Sequence, residues 1–154
     1  MAELKGKKIS FIGGGNMAQA LISGLIGRGI KPTDITVADP SADIRERLKS
    51  QKINTVDPTG TTESDNSQIA VQTADVVVLA VKPQVMSKVV SDFAEVLDQQ
   101  LVISVAAGLS TDSISKMLGG YNNIVRAMPN TPAMIQKGAT GLYATAQILS
   151  LIHI

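Results

Sequence analysis

The sequence predicts an α/β domain built on a doubly wound parallel sheet, and three observations carry that prediction. Short β-branched runs alternate with helical patterns from one end of the chain to the other. Two of the runs, Val76–Val81 and Leu101–Val105, lack polar alternation, as strands do when helices cover both faces of a sheet. A glycine-rich turn, Gly13-Gly14-Gly15, joins the first run to an apolar helical stretch.

Taken in order, the first strand spans Lys7–Ile12. The helix after it carries one apolar stripe, Met17, Leu21 and Leu25 flanked by Ala18, Ile22 and Ile26, with Asn16 as its N-cap. A second strand covers Ile35–Ala38, followed by a helix over Asp43–Gln51, and a short third strand covers Ile53–Val56. Asp57–Ser67, rich in Thr, Ser, Asp and Gly, reads as a surface loop. The fourth strand, Val76–Val81, leads into a helix that Pro83 opens, where a missing N–H costs nothing. Its stripe is Val85, Val89 and Phe93 alongside Met86, Val90 and Leu97. After the fifth strand, Leu101–Val105, Ser110 caps a helix over Thr111–Leu118 that Gly119-Gly120 ends. Asn123–Ala127 is the sixth strand, and the methionines read as packing residues.

The composition removes several kinds of chemistry. There is no cysteine, so disulfides, thiol nucleophiles and thiolate metal sites are absent; this agrees with a reducing cytoplasm. The single histidine is His153, which leaves no histidine metal site or triad, and no metal is expected. Aromatics are 3% of the chain and the formal net charge is +1 without a block of like charges, which argues against nucleic-acid partners. The longest wholly apolar run, Val76–Val81, is far short of the ~18 residues of a membrane span. Residues 1–146 read as one domain of cytoplasmic type. Residues 147–154 read as a tail from truncation, since Leu149–Ile154 back-translates to a sequencing-adapter sequence.

In open α/β sheets, ligands bind beyond the carboxyl ends of the strands, and each predicted end here is unusual. The first carries Gly13–Ala18: Gly13 permits the tight turn, Gly15 allows a pyrophosphate to approach the backbone, and Ala18 keeps helix and strand close. Phosphates would rest on N–H groups at the mouth of a helix, where the dipole favours anions. The second end carries Asp39, an acid about 20 residues past the glycine turn, which in this position accepts ribose hydroxyls and repels a 2′-phosphate. Ser41, Arg45 and Arg47 follow; they either hold a phosphate or are ordinary surface charges. The fourth end is Ala80-Val81-Lys82-Pro83, the fifth Ser104-Val105-Ala106-Ala107-Gly108, and the sixth Arg126-Ala127-Met128-Pro129-Asn130-Thr131-Pro132. Arg126 either pairs with a carboxylate near the sheet end or serves the site.

The four motifs at the first, fourth, fifth and sixth ends, in this order, resemble those of the pyrroline-5-carboxylate reductase family over about Lys7 to Tyr143. The resemblance implies a Rossmann-type domain in which Ile12, Gly13, Gly14, Gly15, Asn16 and Met17 wrap the pyrophosphate. It implies that Ala80, Val81, Lys82 and Pro83 lie along the cofactor's ribose and that Val105, Ala106 and Ala107 sit under the nicotinamide. Asn66, with Ser67 as its rival, would touch the adenosine side. Met128, Pro129, Asn130 and Thr131 would border the substrate pocket. The implied cofactor is NADPH, with NADH possible because Asp39 stands where relatives more often carry a small polar residue.

The implied reaction is hydride transfer from NAD(P)H to the C=N bond of 1-pyrroline-5-carboxylate, a small-molecule substrate, giving L-proline. No residue of these motifs is an obvious proton donor. The resemblance assigns that group, the substrate carboxylate site and a homo-oligomer interface to a helical C-terminal domain absent from this chain. The chain alone is therefore expected to bind dinucleotide and catalyse nothing. Two alternatives remain at this point: a Rossmann reductase of the β-hydroxyacid or 6-phosphogluconate dehydrogenase type, or a non-enzymatic dinucleotide-sensing module.

Overall fold

The computed structural model describes residues 5–60, 67–129 and 140–148. Asn66, Asn130, Thr131 and the segment 149–154 lie outside the described residues. Among the described residues, seven strands form one sheet: β1 (Ile9–Ile12), β2 (Ile35–Ala38), β3 (Asn54–Val56), β4 (Val76–Leu79), β5 (Leu101–Ser104), β6 (Ile124–Pro129) and β7 (Thr140–Ala144). Their spatial order is β3-β2-β1-β4-β5-β6-β7, parallel except for the antiparallel β6–β7 pair. The direction of the order reverses between β1 and β4, so a crevice opens at the carboxyl ends of those two strands.

Among the described residues, five helices cover the sheet: α1 (Asn16–Gly27), α2 (Ala42–Ser50), α3 (Ser67–Gln72), α4 (Pro83–Ser91) and α5 (Thr111–Met117). The pleat divides the core between the two faces. Phe11, Val37 and Val78 meet Ala18 and Ile22 of α1 and Leu48 of α2. Ile12, Val77, Leu79 and Val102 meet Val71 of α3, Met86 and Val90 of α4 and Ile114 of α5. Each such Val, Leu, Ile, Phe or Met side chain, fully buried, adds about 1.5–3 kcal/mol of hydrophobic stabilisation. Coverage is uneven, however. β5 is buried toward α4 and α5, whereas Ile103, facing the α1 side, is only half-buried.

Several predicted boundaries move. β1 begins at Ile9 rather than Lys7, β3 at Asn54 rather than Ile53, and β6 runs from Ile124 to Pro129 rather than from Asn123 to Ala127. β4 and β5 stop at Leu79 and Ser104 rather than Val81 and Val105. α2 is shifted one residue toward the amino end, and Leu118 is the C-cap of α5 rather than its last residue. The N-cap of α1 is Gly15, not Asn16, and no side chain caps that end. Ser110 does cap α5, its oxygen accepting the Ser113 N–H at 3.1 Å, and Pro83 does open α4. The buried residues of α4 are Met86 and Val90, with Phe93 buried just beyond its end; Val85 is exposed. β7 has no counterpart among the predicted elements, because Thr140-Gly141-Leu142-Tyr143 is exposed and shows no apolar alternation.

Candidate functional site

Backbone register places the site. Val56, Ala38, Ile12, Leu79, Ser104, Arg126 and Tyr143 are successive partners across the sheet and form one row near its carboxyl edge. The residues that follow the parallel strands therefore share that edge: Asp57, Asp39, Gly13, Ala80 and Val105. Two cross-links knit it together, Gly13 N–H to the Ala38 carbonyl at 2.9 Å and Ala80 N–H to the Ile12 carbonyl at 2.8 Å.

The three glycines answer to different constraints. At Gly13, φ is +100°, and a Cβ would lie 2.6 Å from the Ala80 carbonyl oxygen; only glycine satisfies both conditions. At Gly14 a Cβ would come 2.8 Å from Ile44 Cγ2, so this glycine lets α2 approach the turn. Gly15 has nothing within 4 Å of its Cβ position, so it requires no glycine on account of the protein's own packing. The open space lies over the start of α1, where unpaired N–H groups face outward.

A cavity of about 540 Å³ opens beside this turn. Ile12, Gly13, Gly15, Asp39, Ala80, Val81 and Lys82, all expected to contact cofactor, line it. Ser67, at the start of α3, lines it as well and is buried. The cavity also takes in residues that sequence reasoning missed: Pro58 and Thr59 from the turn after β3, and Val85, Lys88, Val89 and Asp92 from the side of α4. The surface-loop reading of Asp57–Ser67 fits Pro58 and the exposed Thr59, whereas Ser67 is buried and begins α3. One signal was available, since Val85 and Val89 recur four apart on a helix that starts at a strand's carboxyl end.

Asp39 is buried, and both carboxylate oxygens are engaged. Oδ2 accepts the Gly14 N–H and Oδ1 the Ser41 N–H, each at 2.8 Å. The acid thus ties the glycine turn to the start of α2 with charge-assisted bonds. Arg45 donates from Nη1 to the Asp39 carbonyl at 2.7 Å and from Nη2 to Asp57 Oδ2 at 2.9 Å. Asp57 Oδ1 accepts both the hydroxyl and the N–H of Thr59, and these bonds, helped by the Arg45 charge, hold its pKa below the ordinary carboxylate value against the opposing effect of burial.

The remaining expected residues divide. Gly14 is buried behind the turn, Asn16 is exposed at the first position of α1, Met17 is half-buried, and Pro83 opens α4. Val105 and Pro129 line a second cavity, of about 420 Å³, between α1 and the β5–β7 side of the sheet. Ala106 packs into the core beneath α4 and α5, and Ala107 is exposed. Met128 is exposed rather than packed. Arg126 meets no carboxylate among the described residues. Its Nε is buried without an acceptor, and Nη2 lies 3.2 Å from Met128 Sδ. Also among the described residues, no group of three or more His, Cys, Asp or Glu side chains could hold a metal, and no helix is long and apolar enough to cross a membrane.

The strand order, the glycine turn at the switch point and the cavity beside it define a Rossmann-type dinucleotide-binding domain. The chain belongs to the family described as NADP oxidoreductase, coenzyme F420-dependent, which matches residues 8–108. Within that frame it is similar to the pyrroline-5-carboxylate reductase of Pasteurella multocida, 45% identical over 92% of this chain and 50% of the relative. The Escherichia coli enzyme of the same name is 40% identical over 92% of this chain and 51% of the relative. Among solved structures, the pyrroline-5-carboxylate reductase of Coxiella burnetii superposes with a TM-score of 0.80 at 39% identity, covering 95% of this chain and 54% of that one. The Plasmodium falciparum pyrroline carboxylate reductase with NADP bound gives 0.76 at 25% identity, covering 96% and 53%. The chain thus spans about half the length of the relatives it matches.

Proposed function

We propose that this chain is the cofactor-binding half of a cytoplasmic reductase that converts 1-pyrroline-5-carboxylate to L-proline with NADPH, and with NADH as a second donor. The observation that carries the reading is the open space at Gly15, beside a turn whose neighbouring glycines are fixed by the protein's own packing. A position free of internal contact, at a helix mouth bordering a cavity of about 540 Å³, fits a pyrophosphate. The four motifs in order, and the similarity to reductases of this name, support the choice of reaction.

When bound, the reduced nicotinamide supplies the hydride that adds to the imine carbon, while a proton completes the amine. The chain's own residues bind and orient. Gly13, Gly14, Gly15, Asn16 and Met17 present the helix mouth to the pyrophosphate. Asp39 fixes that turn through Gly14, and Ala80, Val81, Lys82 and Pro83 form the neighbouring wall. Asn66 would contribute on the adenosine side. Val105, Ala106 and Ala107, with Met128, Pro129, Asn130 and Thr131, would shape the nicotinamide and substrate end. The proton donor, the substrate carboxylate site and the homo-oligomer contact are assigned to the part of the protein beyond this chain.

Titrating the 154-residue chain with NADPH and with NADH in a calorimeter tests this, since the absence of Trp precludes indole quenching. Saturable one-site binding with no turnover of the imine is expected. A folded sample that binds neither nucleotide would overturn the reading. The reaction itself is tested by imine-dependent NADPH oxidation with the full-length protein.

A further inference from the structure

Building on the dinucleotide reading, we propose that Gln19 and Asp39 are positioning residues that clamp the two peptide units around Gly14 and so aim the glycine turn at the pyrophosphate. Asp39 is thereby spent on the turn and does not read the ribose hydroxyls.

Geometry carries the argument. A trans peptide unit points its C=O and its N–H in opposite directions, so holding one end sets the other. The unit before Gly14 is held at its N–H, which donates to Asp39 Oδ2 at 2.8 Å. The unit after Gly14 is held at its carbonyl, which accepts Gln19 Nε2 at 2.7 Å. The other end of that second unit is the Gly15 N–H, which therefore points away from the Gln19 amide, at the mouth of α1. Gln19 is itself anchored, since its backbone N–H donates to the Gly15 carbonyl at 3.0 Å. Its side chain reaches back from the second turn of α1 and closes a ring around Gly14 and Gly15.

Asp39 fits this clamp better than it fits a reader of ribose. It lines the cavity, but it is buried, and each carboxylate oxygen is directed to a backbone N–H, Oδ2 to Gly14 and Oδ1 to Ser41. Gly13 and Gly15 line the cavity as well, while Gly14 between them is buried, so the carboxylate holds the turn from behind. A ribose hydroxyl would have to draw the carboxylate off charge-assisted bonds that already satisfy two backbone donors. The Asp39 backbone is pinned too, its carbonyl accepting Arg45 Nη1 at 2.7 Å.

The test compares two probes, ADP and 2′-deoxy-ADP, by calorimetry on the 154-residue chain, so that no turnover enters the readout. Both carry the diphosphate, and only ADP carries the 2′-hydroxyl. The wild-type chain is expected to bind them within about threefold of each other. A larger preference for ADP would mean that the ribose hydroxyl is read, and would overturn the proposal. Asp39→Asn leaves an oxygen for one N–H only and should weaken both probes alike, about tenfold. Gln19→Met keeps the length of the side chain, loses its donor and should weaken both alike, about threefold. Folded variants that keep full affinity would make the clamp a stability device only and overturn the proposal. So would an Asp39→Asn chain that loses ADP while keeping 2′-deoxy-ADP. If Asp39→Asn does not fold, Gln19→Met and the wild-type comparison decide. A folded wild-type chain that binds neither probe would instead strike at the dinucleotide reading, and this proposal would fall with it.

Discussion

The cavity beside the glycine turn and the one between α1 and the β5–β7 side of the sheet are built to different standards. Beside the glycine turn, the wall is held by the chain itself: Gly13 to Ala38, Ala80 to Ile12, Gly14 and Ser41 to Asp39, and Arg45 to Asp57. Across the β5–β7 end, Met128, Leu142 and Tyr143 are exposed, and the buried Arg126 Nε has no acceptor among the described residues. A buried donor without an acceptor costs about 1–3 kcal/mol, so such an arrangement is stable when something further supplies the bond. One half of the edge is finished within this chain. The other half carries exposed apolar side chains and, among the described residues, a buried donor without an acceptor.

The sharpest way to break this comparison is at the finished half. Gly13→Ala puts a Cβ 2.6 Å from the Ala80 carbonyl at a φ of +100°. We expect a loss of about 3 kcal/mol of stability by chemical denaturation, together with loss of NADPH binding. Gly15→Ala meets nothing within 4 Å, so it should cost under about 1 kcal/mol while still weakening NADPH about tenfold. If both variants lose stability equally, the turn is a packing device and the distinction between its glycines disappears.

The same contrast explains what could be read from sequence. The six parallel strands, the Ser110 cap and the Pro83 start rest on local signals, namely β-branched runs, a capping hydroxyl and a fixed φ, and all three appear in the structure. The glycine turn was legible because its strand–turn–helix context is also local. The role of Asp57 was not, because it depends on Arg45 reaching it from another element and on Thr59 folding back. Nor was β7. Its residues pair with β6 but bury little of themselves, and a strand covered on neither face leaves no period in the sequence. The Asn16 cap failed because Gly15, with extended backbone, already occupies that position.

A smaller effect probes the unfinished half. Leu142 is 72% exposed, so Leu142→Ser should change stability by no more than about 0.5 kcal/mol. It should also lower self-association of the chain, measured by sedimentation, because it removes part of an exposed apolar strip. A loss above about 1 kcal/mol would mean that β7 is already packed within this chain, and the comparison between the two halves would have to be withdrawn.

The smallest expected effect is a titration, and its sign follows from the bonds. Hydrogen bonds from the Thr59 hydroxyl and then the Thr59 N–H lower the Asp57 pKa, burial opposes them, and the Arg45 charge adds to the lowering. A depressed carboxylate contributes stability that is fully present above its unfolded pKa and is lost as pH falls through the lower, folded value. Thr59→Ala removes the hydroxyl donor and keeps the N–H, so the Asp57 midpoint, followed by carboxyl NMR, should move up toward the ordinary value without reaching it. The share of stability that Asp57 loses on acidification should shrink and be complete at correspondingly higher pH, all of it below about pH 5. At neutral pH Asp57 stays ionised in both proteins, so its pairing with Arg45 should persist. An unmoved midpoint would show that the Thr59 hydroxyl does not hold Asp57, and the turn after β3 would then be fixed to the finished half by Arg45 alone.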